Sequence, residues 1–293
     1  MKQSASVSVP ATSGNIGPGF DALGLALELR DHVSVVVSDE PGVRVSITGE
    51  GANELPTDHN HLIARVLIEG LETLGVEVTG LELKCQNNIP QGKGLGSSAA
   101  AIVAGLSLAQ ALVNDEVDND WVLQQATSYE GHPDNVAACI FGGLTVAWVS
   151  DVAHAKSLNV LSSIVPVVGV PSSELSTEKA RGLLPEQVPL ADAAFNAGRS
   201  ALVVIGLTLD TQVLLDATDD RLHQPYRRDA YQSSMDVVDA IRAVHIPACI
   251  SGAGPSVIAL AGQSDVQQAI QVMESAGFIA HKLAVASEGV IIH

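Results

Sequence analysis

The chain has 293 residues and a formal net charge of −18, from 33 acidic against 15 basic side chains. That balance excludes nucleic acid and anionic membrane surfaces as partners, because both are met with a basic face. Hydrophobic residues make up 46% and aromatic ones only 3%, so the cores are aliphatic and base stacking is not a general binding mode.

Residues 5–10 alternate as a strand and run into a Gly- and Pro-rich loop over 12–20. Residues 32–38 and 43–48 are β-branched runs flanking Asp39-Glu40-Pro41-Gly42, a turn signal, and read as a hairpin. Apolar residues at helical spacing (Leu62, Ile63, Val66, Leu67, Leu71, Leu74) predict a helix over 60–74, and residues 81–86 a strand. A helix beginning near Ser97, another over 119–129 and a strand over 144–149 follow. The polar stretch 150–158 reads as a loop and sets a boundary, giving domains 1–155 and 156–293. Beyond it the pattern predicts a buried strand over 160–170 and helices over 190–216 and 227–244. A segment 250–260 built around a turn, a helix over 266–276 and a strand over 284–292 complete the chain. Strands mixed with helices and local hairpins give an α+β class with two domains.

Cys85, Cys139 and Cys249 are odd in number and lack metal-ligand spacing, as expected of reduced, buried thiols in a cytosolic protein. The N-terminus has no signal-peptide core, and the most apolar run, 99–113, is shorter than the ~20 residues of a membrane span. A cytoplasmic protein without a membrane partner is expected.

The most informative string is Pro90-Gln91-Gly92-Lys93-Gly94-Leu95-Gly96-Ser97-Ser98-Ala99-Ala100. Alternating glycines let the backbone curl and approach a ligand, and the helix that follows presents unpaired N–H groups and the positive end of its dipole. Together these form a phosphate site. Ser97 and Ser98 are placed to cap the helix, or one hydroxyl turns toward a Mg²⁺ on the phosphates. The order matches neither a Walker A loop nor a dinucleotide fingerprint.

This string closely resembles the ATP-binding loop of the GHMP kinases. The resemblance implies ATP wrapped at the start of the helix, with Ser98 near Mg²⁺. It also implies an N-terminal domain with a left-handed βαβ crossover and a ferredoxin-like C-terminal domain.

Four further segments bear on the acceptor. The loop from Pro10 to Gly24 interleaves Gly with Thr12, Asn15 and Asp21, which either aim polar groups at a small ligand or stabilise a turn. Glu130-Gly131-His132-Pro133-Asp134-Asn135 gathers two carboxylates, an imidazole and an amide in six residues, suited to Mg²⁺ and to a hydroxyl. Thr177 and Arg181 lie in one later segment and Arg227 in another. Either arginine is a solvated surface residue or, as a planar guanidinium, a bidentate partner for a carboxylate.

Taken whole, these segments are similar to the homoserine kinase branch of the family. The likeness implies that Asn15, Asp21, Asn135, Thr177, Arg181 and Arg227 bind L-homoserine, with Asp21 toward its ammonium and the arginines toward its carboxylate. It implies that Ser98 and Glu130 hold Mg²⁺ and that Asn60 lies near adenine, an N-cap for the helix at 60 being the alternative reading. Asp134, with His132, serves either as a base or as support for its loop. Ser251-Gly252-Ala253-Gly254-Pro255-Ser256 matches a motif that packs against the nucleotide loop. The implied reaction is phosphorylation of L-homoserine by ATP in threonine biosynthesis. A mevalonate-type kinase or a non-catalytic ligand-binding regulator are the rival readings, and assembly as a homodimer is left open.

Overall fold

The computed structural model describes residues 1–293. Two long antiparallel strands, β1 (Ser4–Gly14) and β2 (Leu23–Ser38), form the centre of the first sheet. They are followed by β3 (Gly42–Gly49), α1 (Leu62–Thr73) and β4 (Gly80–Asn87), a parallel βαβ unit paired from Gly42↔Gly80 to Gly49↔Asn87. The expected hairpin of 32–38 with 43–48 does not form. β4 lies between β2 and β3 and takes the whole β2 ladder from His32↔Gln86 to Ser38↔Gly80. The turn at 39–42 reverses the chain, but α1, whose buried face packs on α2, carries it across to return as β4 between the two arms.

Helices α2 (Ser97–Val113), α3 (Asn119–Glu130) and α4 (Asp134–Phe141) pack on this sheet. α2 is buried over 99–112 except at Ala101, as a helix that is apolar all round must be. β5 (Leu144–Val149) and β6 (Ala153–Leu158) extend the sheet as an antiparallel pair. The stretch 150–158, expected as a loop, is therefore mostly an edge strand, and the 155/156 division falls inside it.

The second sheet has the order β10-β7-β9-β8, with all neighbours antiparallel. Its strands are β7 (Ile164–Val170), β8 (Ala248–Ile250), β9 (Val257–Gly262) and β10 (Ile279–Lys282). Between β7 and β8 the chain forms α5 (Thr177–Arg181), α6 (Leu190–Thr208), α7 (Leu214–Ala217), α8 (Gln224–Arg227) and α9 (Gln232–Ala243). α10 (Val266–Ser275) joins β9 to β10. This β-α-β-β-α-β order is the ferredoxin-like arrangement. The helix expected over 190–216 is broken after Thr208, where the Asp210 carboxylate caps a new turn. The one expected over 227–244 starts at Gln232, because a 3₁₀ turn over 228–231 redirects the chain. The final segment, expected as one strand, is a single bridge at Val285 and then β11 (Ile291–Ile292), which returns to pair with β1.

The larger core lies between the first sheet and α1–α4 but also takes in Val203, Leu207 and Cys249, so the two halves share buried contacts. A smaller core fills the far side of the second sheet, against α9 and α10. All three cysteines are free and buried. α6 alone is long and apolar enough to cross a bilayer by length and composition. Here Asn196 and Ser200 on α6 both donate to the Pro18 carbonyl, and Val203 and Leu207 enter the core.

Candidate active site

One cleft gathers most of the residues expected to act, contributed by both halves of the fold. Its floor is the turn of 92–96 leading into α2. The cap position of α2 is Gly96, in the left-handed region at φ 70°, and no side chain caps the helix. Ser97 and Ser98 are thus the first helical residues and not caps, and the amides of 97–99 have no intrahelical acceptor. Glycine is required here on two counts. A Cβ on Gly96 would lie 2.0 Å from Thr12 Oγ1, and one on Gly94 would lie 2.4 Å from the Ser251 carbonyl. The loop is therefore seated directly on two other segments. Ser251 Oγ donates to the Gly94 carbonyl at 2.7 Å, and Ser256 N donates to the Lys93 carbonyl at 3.1 Å. The 251–256 motif braces the glycine loop as expected, and Gly252 and Ala253 additionally line the cleft.

Ser98 and Glu130 meet across the mouth of α2, Ser98 Oγ donating to Glu130 Oε1 at 2.5 Å. Glu130 is the last residue of α3, and Gly131 at φ 79° turns the chain away behind it. A hydroxyl and a carboxylate beside free helix amides are hard oxygen donors of the kind that suit Mg²⁺.

Below them, Asp134 opens α4 and is buried. It accepts from Asn135 Nδ2 at 3.3 Å and pairs with His132 Nδ1 at 2.7 Å. Burial opposes the charged imidazolium of His132, but the hydrogen bond and charge of Asp134, helped by Asp21, outweigh it and raise its pKa. Asp21, His132 and Asp134 bring ligand atoms within 4.8 Å of one another. His132 and Asp134 are hydrogen-bonded to each other, and Asp21 is paired with Arg181.

The far wall is cationic. Arg181 grips Asp21 with two hydrogen bonds, Nη2 to Oδ1 at 2.8 Å and Nη1 to Oδ2 at 3.0 Å. Arg227 is buried, its Nε donating to the Ala180 carbonyl at 2.9 Å and its Nη1 lying 3.3 Å from His223 Nδ1. Its Nη2 makes no protein hydrogen bond. His223 is fully buried, and desolvation lowers its pKa despite the Asp220 charge. Its Nε2 donates to the Gly17 carbonyl at 2.7 Å, which leaves Nδ1 free to accept from Arg227. Both guanidinium groups lie over the Phe20 ring, at 5.5 Å for Arg181 and 5.6 Å for Arg227.

Family models of two kinds match the chain: the GHMP kinase N-terminal domain over residues 61–143, and the GHMP kinase C-terminal domain over 211–279. A homoserine kinase of Streptomyces avermitilis is 50% identical over 97% of this chain and 93% of its own. The chain belongs to the GHMP kinase family. A homoserine kinase of Cutibacterium acnes is 45% identical to this GHMP kinase over 99% of both chains. The crystal structure of a homoserine kinase from Cytophaga hutchinsonii superposes with a TM-score of 0.89 at 32% identity, covering all of this chain and 98% of that one.

Within this GHMP kinase the expected residues divide cleanly. Gly92, Gly94, Gly96, Ser97, Ser98 and Ala99 line the cleft, as do Asn15, Asp21, Glu130, His132, Asp134, Asn135, Thr177, Arg181 and Arg227. Leu95 and Ala100 are buried beneath the loop as packing residues. Pro90, Gln91 and Asn60 do not line the cleft, and Lys93 points elsewhere. Asn60 does not cap α1 either: His61 holds that position, and Asn60 folds onto Asp58. Asn15, at φ 65°, spends its amide on the Gly252 carbonyl and on Asp21 N, so it ties the two halves together and sets Asp21. Residues that sequence reasoning missed are Phe20, Ser176 and the His223 side chain. Phe20 was signalled only by being one of four phenylalanines and lying beside Asp21.

Proposed function

We infer that the protein is a homoserine kinase, which transfers the γ-phosphoryl group of ATP to the side-chain hydroxyl of L-homoserine in threonine biosynthesis. The observation that carries this is the juxtaposition in one cleft of an open helix N-terminus with a paired Asp21–Arg181 and the spare guanidinium edge of Arg227. The first suits a triphosphate. The second suits a small ligand bearing both an ammonium and a carboxylate.

Apart from Arg181 and Arg227, no lysine or arginine lines the cleft. The triphosphate would therefore be met by the amides of 97–99, and Ser98 and Glu130 would hold a divalent cation, Mg²⁺, beside them. When bound, that ion neutralises charge on the phosphate oxygens. Arg227 takes the acceptor carboxylate through Nη2, Asp21 takes the ammonium, and Arg181 turns from Asp21 to share the carboxylate. Thr177 and Asn135 flank the acceptor and orient its hydroxyl. A bond forms from that hydroxyl oxygen to the γ-phosphorus as the bridging bond to ADP breaks. Phosphoryl transfer is loose, so the hydroxyl keeps its proton until late and then yields it to a phosphoryl oxygen. Asp134, committed to His132 and Asn135, supports its loop and is not needed as a base.

A coupled ADP-release assay with homoserine, mevalonate, galactose or no acceptor tests this reading. Turnover with homoserine alone is expected. A preference for mevalonate or galactose, or release independent of acceptor, removes it.

A further inference from the structure

Lys93 sits among the glycines of the nucleotide loop, yet its amine does not face the cleft. Nζ donates to the carbonyls of Ser172 at 2.8 Å and Ser173 at 2.9 Å, and lies 3.5 Å from the Glu174 carboxylate. Two of the three donors of the ammonium are thus taken by backbone carbonyls, and the Glu174 carboxylate lies at ion-pair distance. The side chain is only 12% exposed. Beside it, Leu175 N donates to the Gly92 carbonyl at 3.2 Å. The gripped residues run directly into α5, where Ser176 caps the helix and Thr177 lines the cleft. One turn on, the Ala180 carbonyl holds Arg227 and Arg181 holds Asp21.

We propose that Lys93 is a positioning residue for the acceptor half of the site. It clamps residues 172–175 to the nucleotide loop, so that the turn receiving the triphosphate and the short helix receiving the amino acid behave as one unit. The proposal rests on the homoserine kinase reading above. α5 has five residues and is too short to hold its own shape. Its placement depends on the clamp at one end and on the Arg181 and Arg227 contacts at the other. Nucleotide that orders the loop then orders α5, and the two substrates bind with positive coupling.

The test compares wild type with Lys93→Met, which keeps the stem, and Lys93→Arg, whose fork can reach two carbonyls. Steady-state kinetics are run with both substrates varied. Calorimetry measures homoserine binding with and without a non-hydrolysable ATP analogue and Mg²⁺. The Met variant is expected to raise the homoserine KM at saturating ATP about tenfold, the scale of a lost charge-assisted contact. By reciprocity it should weaken analogue binding in the presence of homoserine by a similar factor, while analogue binding without homoserine, read by the same calorimetry, stays within about twofold. It should also abolish the gain in homoserine affinity brought by the analogue, and Arg should restore most of both. Analogue binding without homoserine that weakens as much as homoserine binding does, or no change in the homoserine KM, overturns the clamp. So does a wild type whose homoserine affinity ignores the analogue, a result that needs no variant to fold. Absence of homoserine-dependent ADP release by wild type removes the functional reading instead. The clamp is then scored by nucleotide protection of residues 172–181 from proteolysis, present in wild type and lost in Lys93→Met; protection that is absent or unchanged overturns it.

Discussion

Asp21 and Arg181, 160 residues apart in the chain, close on each other through two parallel hydrogen bonds at 2.8 and 3.0 Å. Their side chains are 32% and 42% exposed, so the pair is only weakly stabilising and a ligand can replace it. A zwitterion opens the pair and satisfies both halves. A ligand with one charge satisfies one half and strands the other. Homoserine should therefore be phosphorylated at least ~10²-fold more efficiently than 4-hydroxybutyrate, which lacks the amino group. Asp21→Asn should narrow that gap by weakening the preferred acceptor more, as read from kcat/KM for both. Equal efficiency on the two acceptors would refute the zwitterion pocket.

Ser98→Ala should lower kcat far more than it lowers stability. Gly96 holds the cap position, so the variant forfeits less than the ~1 kcal/mol of a side-chain cap. It does lose the hydroxyl bonded to Glu130. Glu130→Gln should raise the Mg²⁺ concentration needed for half-maximal rate. Thermal melts and a Mg²⁺ titration of the rate separate the two effects, and normal turnover by Ser98→Ala would exclude the hydroxyl from the site.

Arg227→Lys keeps the charge but loses the planar fork that reaches the Ala180 carbonyl and His223 together. The homoserine KM should rise roughly tenfold with the ATP KM nearly unchanged. A selective rise in the ATP KM would move Arg227 to the phosphate side.

Asp31 gives a pH signature remote from the chemistry. Its Oδ1 accepts from Asn88 N at 2.6 Å and Ile89 N at 2.9 Å, just before the glycine loop. Burial raises its pKa to about 6, above its ordinary 3.8, despite those hydrogen bonds. The folded state thus binds this proton more tightly than the unfolded chain. The contribution of Asp31 is most favourable below pH ~4, falls as pH rises to about 6, and is flat beyond. Asp31→Asn keeps an acceptor without the charge. Its stability relative to wild type should improve between pH 4 and 6, by on the order of 2 kcal/mol, in denaturant melts at fixed salt. A difference independent of pH would show that Asp31 is not protonated on folding.

Much of this site was legible in the sequence because its chemistry is local. Glycine spacing, two serines and an apolar run specify a helix start whatever surrounds them, and Glu130 to Asn135 lie within six residues. What the sequence could not show was pairing between distant segments. The turn at 39–42 gave no hint that β4 would enter between its arms. Lys93 carries the charge expected of a phosphate ligand, and only the placement of 172–174 reveals its carbonyl partners. Asp21 and Arg181 each read as half of a ligand site, and nothing local indicated that they bind each other. The split of the long helices was equally hidden, since apolar periodicity continues through Leu209 while the chain turns at Asp210.

The return of β11 to β1 has a mechanical consequence. The backbone passes between the two sheets twice, once from β6 to β7 and again from β10 to β11. The second passage is stitched on both sides, Leu283 N to the Pro166 carbonyl and Ala286 N to the Ala26 carbonyl. Two separated straps define a line, and the halves can turn about that line but resist a sideways twist. Any opening that admits ligand is thus expected to follow this one axis, with Thr177 and Arg181 travelling on the run tied to Lys93.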